Sequence, residues 1–237
     1  MENNRRYLNK NLSVKGLALN DINTLYHEFF HRKDYEWYRD VEPLDIVVDI
    51  GACVGFFTCH ALDRGAHRIY SIEPSRAHLQ TLIENTSQYF IDNGEIPIVP
   101  IHAAIGTERH HYDNVFKTNS DIGFRTMSFA NCMTEYDISW IDYLKIDCEG
   151  GEYDIFCEAN FDYLRWSVKH IAVEFHVYDE QHAREWIRVR DTLLQKFDTD
   201  QIRFLEHDDR EKAYNDFYLL NGNKEESKSF MLYISNS

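Results

Sequence analysis

An apolar run closed by an acid and two spaced glycines, Ile46-Val47-Val48-Asp49-Ile50-Gly51-Ala52-Cys53-Val54-Gly55-Phe56-Phe57-Thr58, constrains this chain more than any other stretch. β-Branched residues in succession predict a strand buried on both faces, as in a parallel sheet. Gly51 and Gly55 then let the backbone turn tightly and approach a ligand without Cβ atoms in the way. A second acid, Glu73, closes the next apolar run, Ile69-Tyr70-Ser71-Ile72. It stands about 20 residues further on, where a doubly wound fold holds ribose hydroxyls. The pair points to an adenosine-containing cofactor.

The turn discriminates between cofactors. A dinucleotide fingerprint places three glycines around a pyrophosphate at a helix N-terminus, whereas this chain has Gly51-x-x-x-Gly55 preceded by Asp49. A carboxylate at the mouth of the turn repels pyrophosphate and suits the ammonium and sulfonium of S-adenosylmethionine. A turn with no ligand is the bland alternative.

A second strand-turn-helix unit follows at Ile141-Asp-Tyr-Leu-Lys-Ile-Asp-Cys-Glu-Gly-Gly-Glu-Tyr-Asp-Ile-Phe156. With Asp49 to Gly55, Glu73 and the block Leu144-Lys145-Ile146-Asp147-Cys148-Glu149-Gly150-Gly151-Glu152, the sequence resembles the FkbM family of S-adenosylmethionine-dependent methyltransferases. Ala104-Ile105-Gly106 and Glu174-Phe175-His176 match two further family segments, and the resemblance covers about residues 46 to 178. Cys53 and His102 stand where the family often carries Asn, and Gly151 where it often carries Ala. The resemblance implies a Rossmann-like class I methyltransferase fold: α/β, with a doubly wound, mostly parallel sheet and a C-terminal antiparallel hairpin. It implies cofactor contacts from Asp49, Gly51, Ala52, Gly55, Glu73, Pro74, Ala104 and Asp147. The domain so defined runs over 46–237, behind an N-terminal helical extension at 1–45.

Bulk properties agree with one α/β domain. The chain has 237 residues, and its 40 acidic against 25 basic residues leave a formal charge of -15. Such a balance opposes long contact with a phosphate backbone, so nucleic acid is a poor substrate class. No apolar stretch approaches the roughly 18 residues of a membrane span, and no export signal is read at the amino terminus. The five cysteines, at 53, 59, 132, 148 and 157, show no C-x-x-C spacing and are expected as reduced thiols of a cytoplasmic protein. Cys53 and Cys148 read as small residues beside turns, with nucleophilic use as the alternative.

Alternating patterns predict the element order. A helix is expected from Asn20 or Asp21 to about Tyr38, and a helix from Ser75 carrying Leu79, Leu82 and Ile83 on one face and ending at Gly94. An edge strand follows over Ile96 to Ala104, marked by Pro97 and Pro100, and a strand around Phe124 to Phe129. A strand at Ile171 to His176 and a helix at Glu180 to Lys196 come next. Glu206 to Lys212 reads as a solvated charged loop. A hairpin of Phe217 to Leu220 with Phe230 to Ile234 turns at Asn221-Gly222-Asn223. Asp49, Glu73, Asp147 and His176 all fall at predicted strand ends, where ligands of such sheets collect.

The expected reaction is attack of a hydroxyl on the sulfonium methyl, which needs alignment and a proton acceptor. Glu174 and His176 share a strand face and suit orienter and base, or together a divalent metal with Asp147 as a third ligand. Glu149 is the remaining catalytic candidate. Glu152 fits the simpler reading of an acid stabilising a helix N-terminus. His27-Glu28-Phe29-Phe30-His31 matches the H-E-x-x-H zinc pattern, but the segment reads as a packing helix, and His110-His111 as a polar loop. The substrate class expected is a sugar or other small hydroxylated molecule, stacked against aromatics of the 106–140 section. The alternative is a binding or scaffold protein that keeps the fold without catalysis.

Overall fold

The computed structural model describes residues 4–7, 10–87, 89, 97–106, 124–215 and 228–236. They group into two compact units: Met1–Ala104 with Asp121–Arg125, and Ile105–Ser120 with Thr126–Ser237.

The first unit opens with β1 (Asn4–Tyr7) and β2 (Lys10–Ser13), an antiparallel pair, followed by α1 (Leu19–His27). The helix expected up to Tyr38 is shorter and composite. It passes into a single π-helical stretch at Glu28–Arg32, and Lys33 in the left-handed region (φ 56°) breaks it before a 3-10 turn at Asp34–Glu36. Leu12 and Val14 of this segment are buried against Val54, Phe56 and Cys59, with Ile22, Leu25 and Phe29 alongside. Asn85 fastens it further: its Oδ1 accepts the Ser13 N–H at 2.6 Å, and its Nδ2 donates to the Ser13 and Val54 carbonyls. Residues before 46 are thus packed into the same unit as the strands that follow.

Those strands are β3 (Ile46–Ile50), β4 (Arg68–Ile72) and β5 (Ile98–Ile101), paired in parallel with Val48 opposite Tyr70 and Tyr70 opposite Val99. β3 reads as it does because Val47 to Ile50 are all buried. Between them run α2 (Phe56–Asp63), buried from Phe56 to Ala61, and α3 (Arg76–Thr86). Ser75 caps α3 by accepting the His78 N–H, as its residue type predicts. Leu79 and Leu82 face the core, but Ile83 is 47% exposed, one position off the buried stripe. The helix ends at Thr86; Gly94, expected to end it, lies outside the described residues. The strand expected over 96–104 is divided at His102, with β6 (Ala103–Ile105) after the break.

β7 (Arg125–Met127) matches the strand expected there, and the Gly106 N–H donates to the Met127 carbonyl. The second unit continues with α4 (Phe129–Glu135), β8 (Ile141–Ile146), α5 (Glu152–Ile155), α6 (Phe161–Trp166), β9 (Val168–Val177) and α7 (Glu180–Lys196). β10 (Ile202–Phe204), α8 (His207–Tyr214) and β11 (Lys228–Ser235) complete it. β8 and β9 are parallel; β11 runs antiparallel to both β9 and β10. The fold is therefore α/β with mostly parallel strands and an antiparallel C-terminal portion. Trp186, fully buried, packs on Phe175 and Phe230 and donates its indole N–H to the Ala213 carbonyl at 2.8 Å. That bond and the buried Ala213 explain why 207–214 is a docked helix where a solvated loop was expected. The first arm and turn of the expected hairpin, 217–223, and His110-His111 lie outside the described residues.

Candidate functional site

In the first unit the loop after β3 is shaped by left-handed backbone: Gly51 has φ 78°, Cys53 50° and Gly55 87°. At Gly55 a side chain is excluded twice, since a Cβ would also lie 2.8 Å from Leu82 Cγ. The amides of the loop are turned inward. Gly51 and Ala52 N–H donate to the Ile72 carbonyl at 3.0 Å each, Gly55 N–H to Ala52, and Cys53 N–H to Glu73 Oε2 at 2.9 Å. A pyrophosphate cradle needs such N–H groups pointing at the ligand. Their internal use argues against a dinucleotide here.

Glu73 follows β4 directly and is 4% exposed. Its Oε2 takes the Cys53 amide and its Oε1 the Ser75 amide at 2.8 Å, so one carboxylate ties the β3 and β4 turns together. Each oxygen retains a lone pair for a further donor such as a ribose hydroxyl. His78 Nδ1 lies 3.7 Å from Glu73 Oε1 and 4.0 Å from Cys53 Sγ, while Nε2 meets the Gly16 carbonyl at 3.2 Å. Burial disfavours the His78 charge, but the Cys53 and Glu73 contacts outweigh it and push its pKa up to about 11. The Cys53 thiol is itself pushed up by burial, which fits a packing role better than a nucleophilic one. Pro74 offers its carbonyl to His102 Nε2 at 2.9 Å, and Ala104 is buried in β6.

Asp49 departs from the sequence expectation. Its side chain is fully buried and accepts the Thr58 hydroxyl at 2.7 Å, and Thr58 in turn meets Ser71 at 2.9 Å. It therefore braces β3 against α2 instead of standing at the mouth of the turn.

In the second unit Asp147 follows β8, and strand alternation puts Glu174 and His176 on one face of β9 while Phe175 faces Trp186 and Phe156. His176 is 9% exposed. Its Nδ1 lies 3.1 Å from Glu152 Oε1, and its Nε2 faces Glu149 Oε2 at 3.7 Å and Asp147 Oδ1 and Glu174 Oε1 at 4.0 Å each. The group that orients the imidazole is thus Glu152, not Glu174. Glu152 is fully buried and held by the Cys148 N–H at 3.0 Å and the Gly150 N–H at 2.8 Å. Sequence reasoning passed over it as a helix-end acid; the signal was its place two residues after a glycine in left-handed backbone (Gly150, φ 105°), where its carboxylate can fold back on the turn amides. Gly151, at φ -75°, lies ahead of α5 and costs that helix nothing.

Charge crowds here. Burial and then the Asp147 charge push the Glu174 carboxyl up to about 7. Burial disfavours the His176 charge, yet Glu152 and the other acids hold its pKa well above the usual imidazole value. Lys145, also buried, lies 3.6 Å from Asp147 Oδ2. Tyr178 stacks on His176 and donates its hydroxyl to Glu149 Oε2; burial and that carboxylate raise its pKa.

Two groups among the described residues bring three potential metal ligands within 4.8 Å of one another: Asp147, Glu149 and His176, and Glu36, Asp40 and His60. The latter is closed by its own pairing, since Asp40 contacts His60 Nε2 at 2.7 Å and Arg64 Nε at 2.9 Å. The H-E-x-x-H histidines form neither. His27 and His31 are both exposed and stack on each other at 5.4 Å. All five cysteines are free, and no helix among the described residues is long and apolar enough to cross a membrane.

A glycine turn after the first parallel strand, an acid after the second and antiparallel strands at the C-terminus define the Rossmann-like methyltransferase class. Residues 49–205 match the model of the methyltransferase FkbM domain, and the chain belongs to that family. An FkbM methyltransferase structure from Methylobacillus flagellatus is similar, with 18% identity and a TM-score of 0.56; the match covers 88% of this chain and 47% of that one. The chain thus spans about half the length of that relative. TYW2 of M. jannaschii, solved with AdoMet, matches at 11% identity and a TM-score of 0.45 over 98% of this chain and 84% of its own. A putative rRNA methylase from Clostridium thermocellum matches at 10% identity and a TM-score of 0.44, over 91% and 96%. Among curated proteins none matches this sequence.

Proposed function

We propose that this protein transfers the methyl group of S-adenosylmethionine to a hydroxyl of a sugar or other small molecule. The observation that carries the cofactor is Glu73, a buried carboxylate bridging two turn amides with lone pairs left for ribose hydroxyls. Within the first unit, Gly51, Ala52 and Gly55 bring backbone to the cofactor, Pro74 and Ala104 border it, and Asp49 supplies negative potential for its ammonium and sulfonium. Sulfur is already a good leaving group, so the protein's task is to align nucleophile, methyl and sulfur. Within the acid-histidine group of Glu149, Glu174 and His176, the Glu174 carboxylate, its pKa pushed up to about 7, takes the proton of the hydroxyl as the oxygen-methyl bond forms. Five free thiols support a reducing, cytoplasmic setting.

Calorimetry and thermal shift test the cofactor: S-adenosylmethionine and its demethylated product bind and stabilise, NAD does neither. Equal stabilisation by NAD, or none by either adenosyl compound, refutes the reading. A methyl-transfer screen over glycans and hydroxylated metabolites then separates an enzyme from a scaffold that binds the cofactor without turnover.

A further inference from the structure

His176 and its neighbours are built more elaborately than a general base requires. One imidazole nitrogen, Nδ1, is fixed by Glu152, whose two oxygens are themselves fixed by backbone N–H groups of Cys148 and Gly150. The other, Nε2, makes no hydrogen bond among the described residues, although the side chain is nine-tenths buried; the carboxylates it faces stop at 3.7–4.0 Å. A carboxylate, a buried histidine and a nitrogen aimed at further oxygens repeat the arrangement in which an outer carboxylate sets the tautomer of a metal-ligating imidazole.

We propose that Asp147 Oδ1, Glu149 Oε2 and His176 Nε2 form a divalent-cation site, with Glu152 as its outer-sphere orienter. One ligand atom from each of the three residues lies within 4.8 Å of the other two, and Nε2 stands 4.0 Å from Asp147 Oδ1 and 3.7 Å from Glu149 Oε2. Ligands at about 2.1 Å around a tetrahedral ion stand about 3.4 Å apart, so the contacts to Nε2 need close by only about 0.3–0.6 Å. Three protein ligands leave positions open, as in sites that bind a substrate oxygen. The Tyr178 hydroxyl donates to the same Glu149 Oε2, so that oxygen would take the ion with its other lone pair, and Glu149 itself sits in left-handed backbone at φ 57°. Glu174 Oε1, 4.0 Å from Nε2, stays beside the ion as a further carboxylate. Two carboxylates with one imidazole suit Mn2+ or Zn2+ better than a soft, thiolate-seeking ion. The site lies wholly within the second unit, so its existence is independent of the methyl-transfer reading; only its use, holding the acceptor oxygen, rests on that reading.

Mn2+ binding to metal-stripped protein, followed by electron paramagnetic resonance and calorimetry, tests this. One Mn2+ per chain is expected, with affinity at least tenfold weaker in Glu149→Gln and in Glu152→Gln, and unchanged in Glu36→Gln of the other acid-histidine group. Glu149, with its side chain 46% exposed, tolerates substitution even if the buried Glu152 does not. Absence of Mn2+ and Zn2+ binding by the folded protein overturns the proposal, as does binding insensitive to Glu149→Gln or lost in Glu36→Gln. Titrating S-adenosylmethionine into the same samples separates the two readings: ion binding without cofactor binding refutes only the transferase, and the converse refutes only the ion.

Discussion

Replacing Glu73 with Ala tests fold and cofactor together, because the same carboxylate serves both. At 4% exposure, its removal leaves the Cys53 and Ser75 amides without their acceptor. Each buried N–H so stranded costs about 1–3 kcal/mol. Water entering the space of the lost carboxylate favours the low end, a total of about 2 kcal/mol. At about 2–4 °C per kcal/mol for a chain of this size, the melting temperature falls by about 4–8 °C. Loss of a charged acceptor for two ribose hydroxyls weakens the cofactor by about 1.5–3 kcal/mol, or roughly 10- to 150-fold. Differential scanning calorimetry reads the first number and titration calorimetry at a temperature where the variant is folded reads the second. Glu73→Gln, retaining one acceptor oxygen, falls between. Full cofactor affinity in folded Glu73→Ala refutes the assignment of Glu73 to the ribose, and an unchanged melting temperature refutes the bridging of the two turns.

Gly55→Ala forces a Cβ to φ 87° and to 2.8 Å from Leu82 Cγ, so it lowers stability in urea by at least about 1–2 kcal/mol; an unchanged midpoint contradicts the left-handed turn. Asp179 caps α7 by accepting the His182 N–H, and Asp179→Ala costs about 1 kcal/mol at pH 7. Burial raises the Asp179 pKa, but its bonds to His182 outweigh this and hold it below 3.8. A depressed folded pKa means stability present above the unfolded value and lost as pH falls through the folded one, so the gap between wild type and variant narrows below about pH 4. An equal gap at pH 7 and pH 3 contradicts that linkage. His176→Ala leaves cofactor affinity nearly intact and lowers methyl transfer by about 10²-fold or more, whereas His27→Ala and His31→Ala retain turnover; full activity of His176→Ala refutes its role.

The glycine turn was legible because its constraint is local: no residue but glycine enters the φ of Gly55 beside Leu82 without penalty, so the residue type announces the geometry. Strand ends at Glu73 and Asp147 were legible for a similar reason, since an acid after a buried apolar run marks where the chain leaves the sheet. The orientation of Asp49 was not. Whether a carboxylate at the last turn of a strand faces solvent or the helix beside it depends on Thr58 and Ser71, which come from two other elements. The helix over 207–214 was hidden likewise, because a charged segment becomes a docked helix only when Trp186 finds its carbonyl.

Period-2 alternation established that Glu174 and His176 share a face of β9, and from that pairing the nearer acid looked like the orienter. Alternation, however, places side chains and says nothing of ring nitrogens. On one strand face, neighbours two residues apart stand side by side, so Glu174 meets only the outer edge of the imidazole, at 4.0 Å from Nε2. The inner nitrogen, Nδ1, looks toward the turn after β8, and Glu152 reaches it from there. Glu152 does so because Gly150 and Cys148 fold their amides onto its carboxylate, leaving one oxygen 3.1 Å from Nδ1. The Lys-Ile-Asp-Cys-Glu-Gly-Gly-Glu block is therefore one device: Asp147 and Glu149 face Nε2, Glu152 holds Nδ1, and left-handed backbone at Glu149 and Gly150 reverses the chain between them.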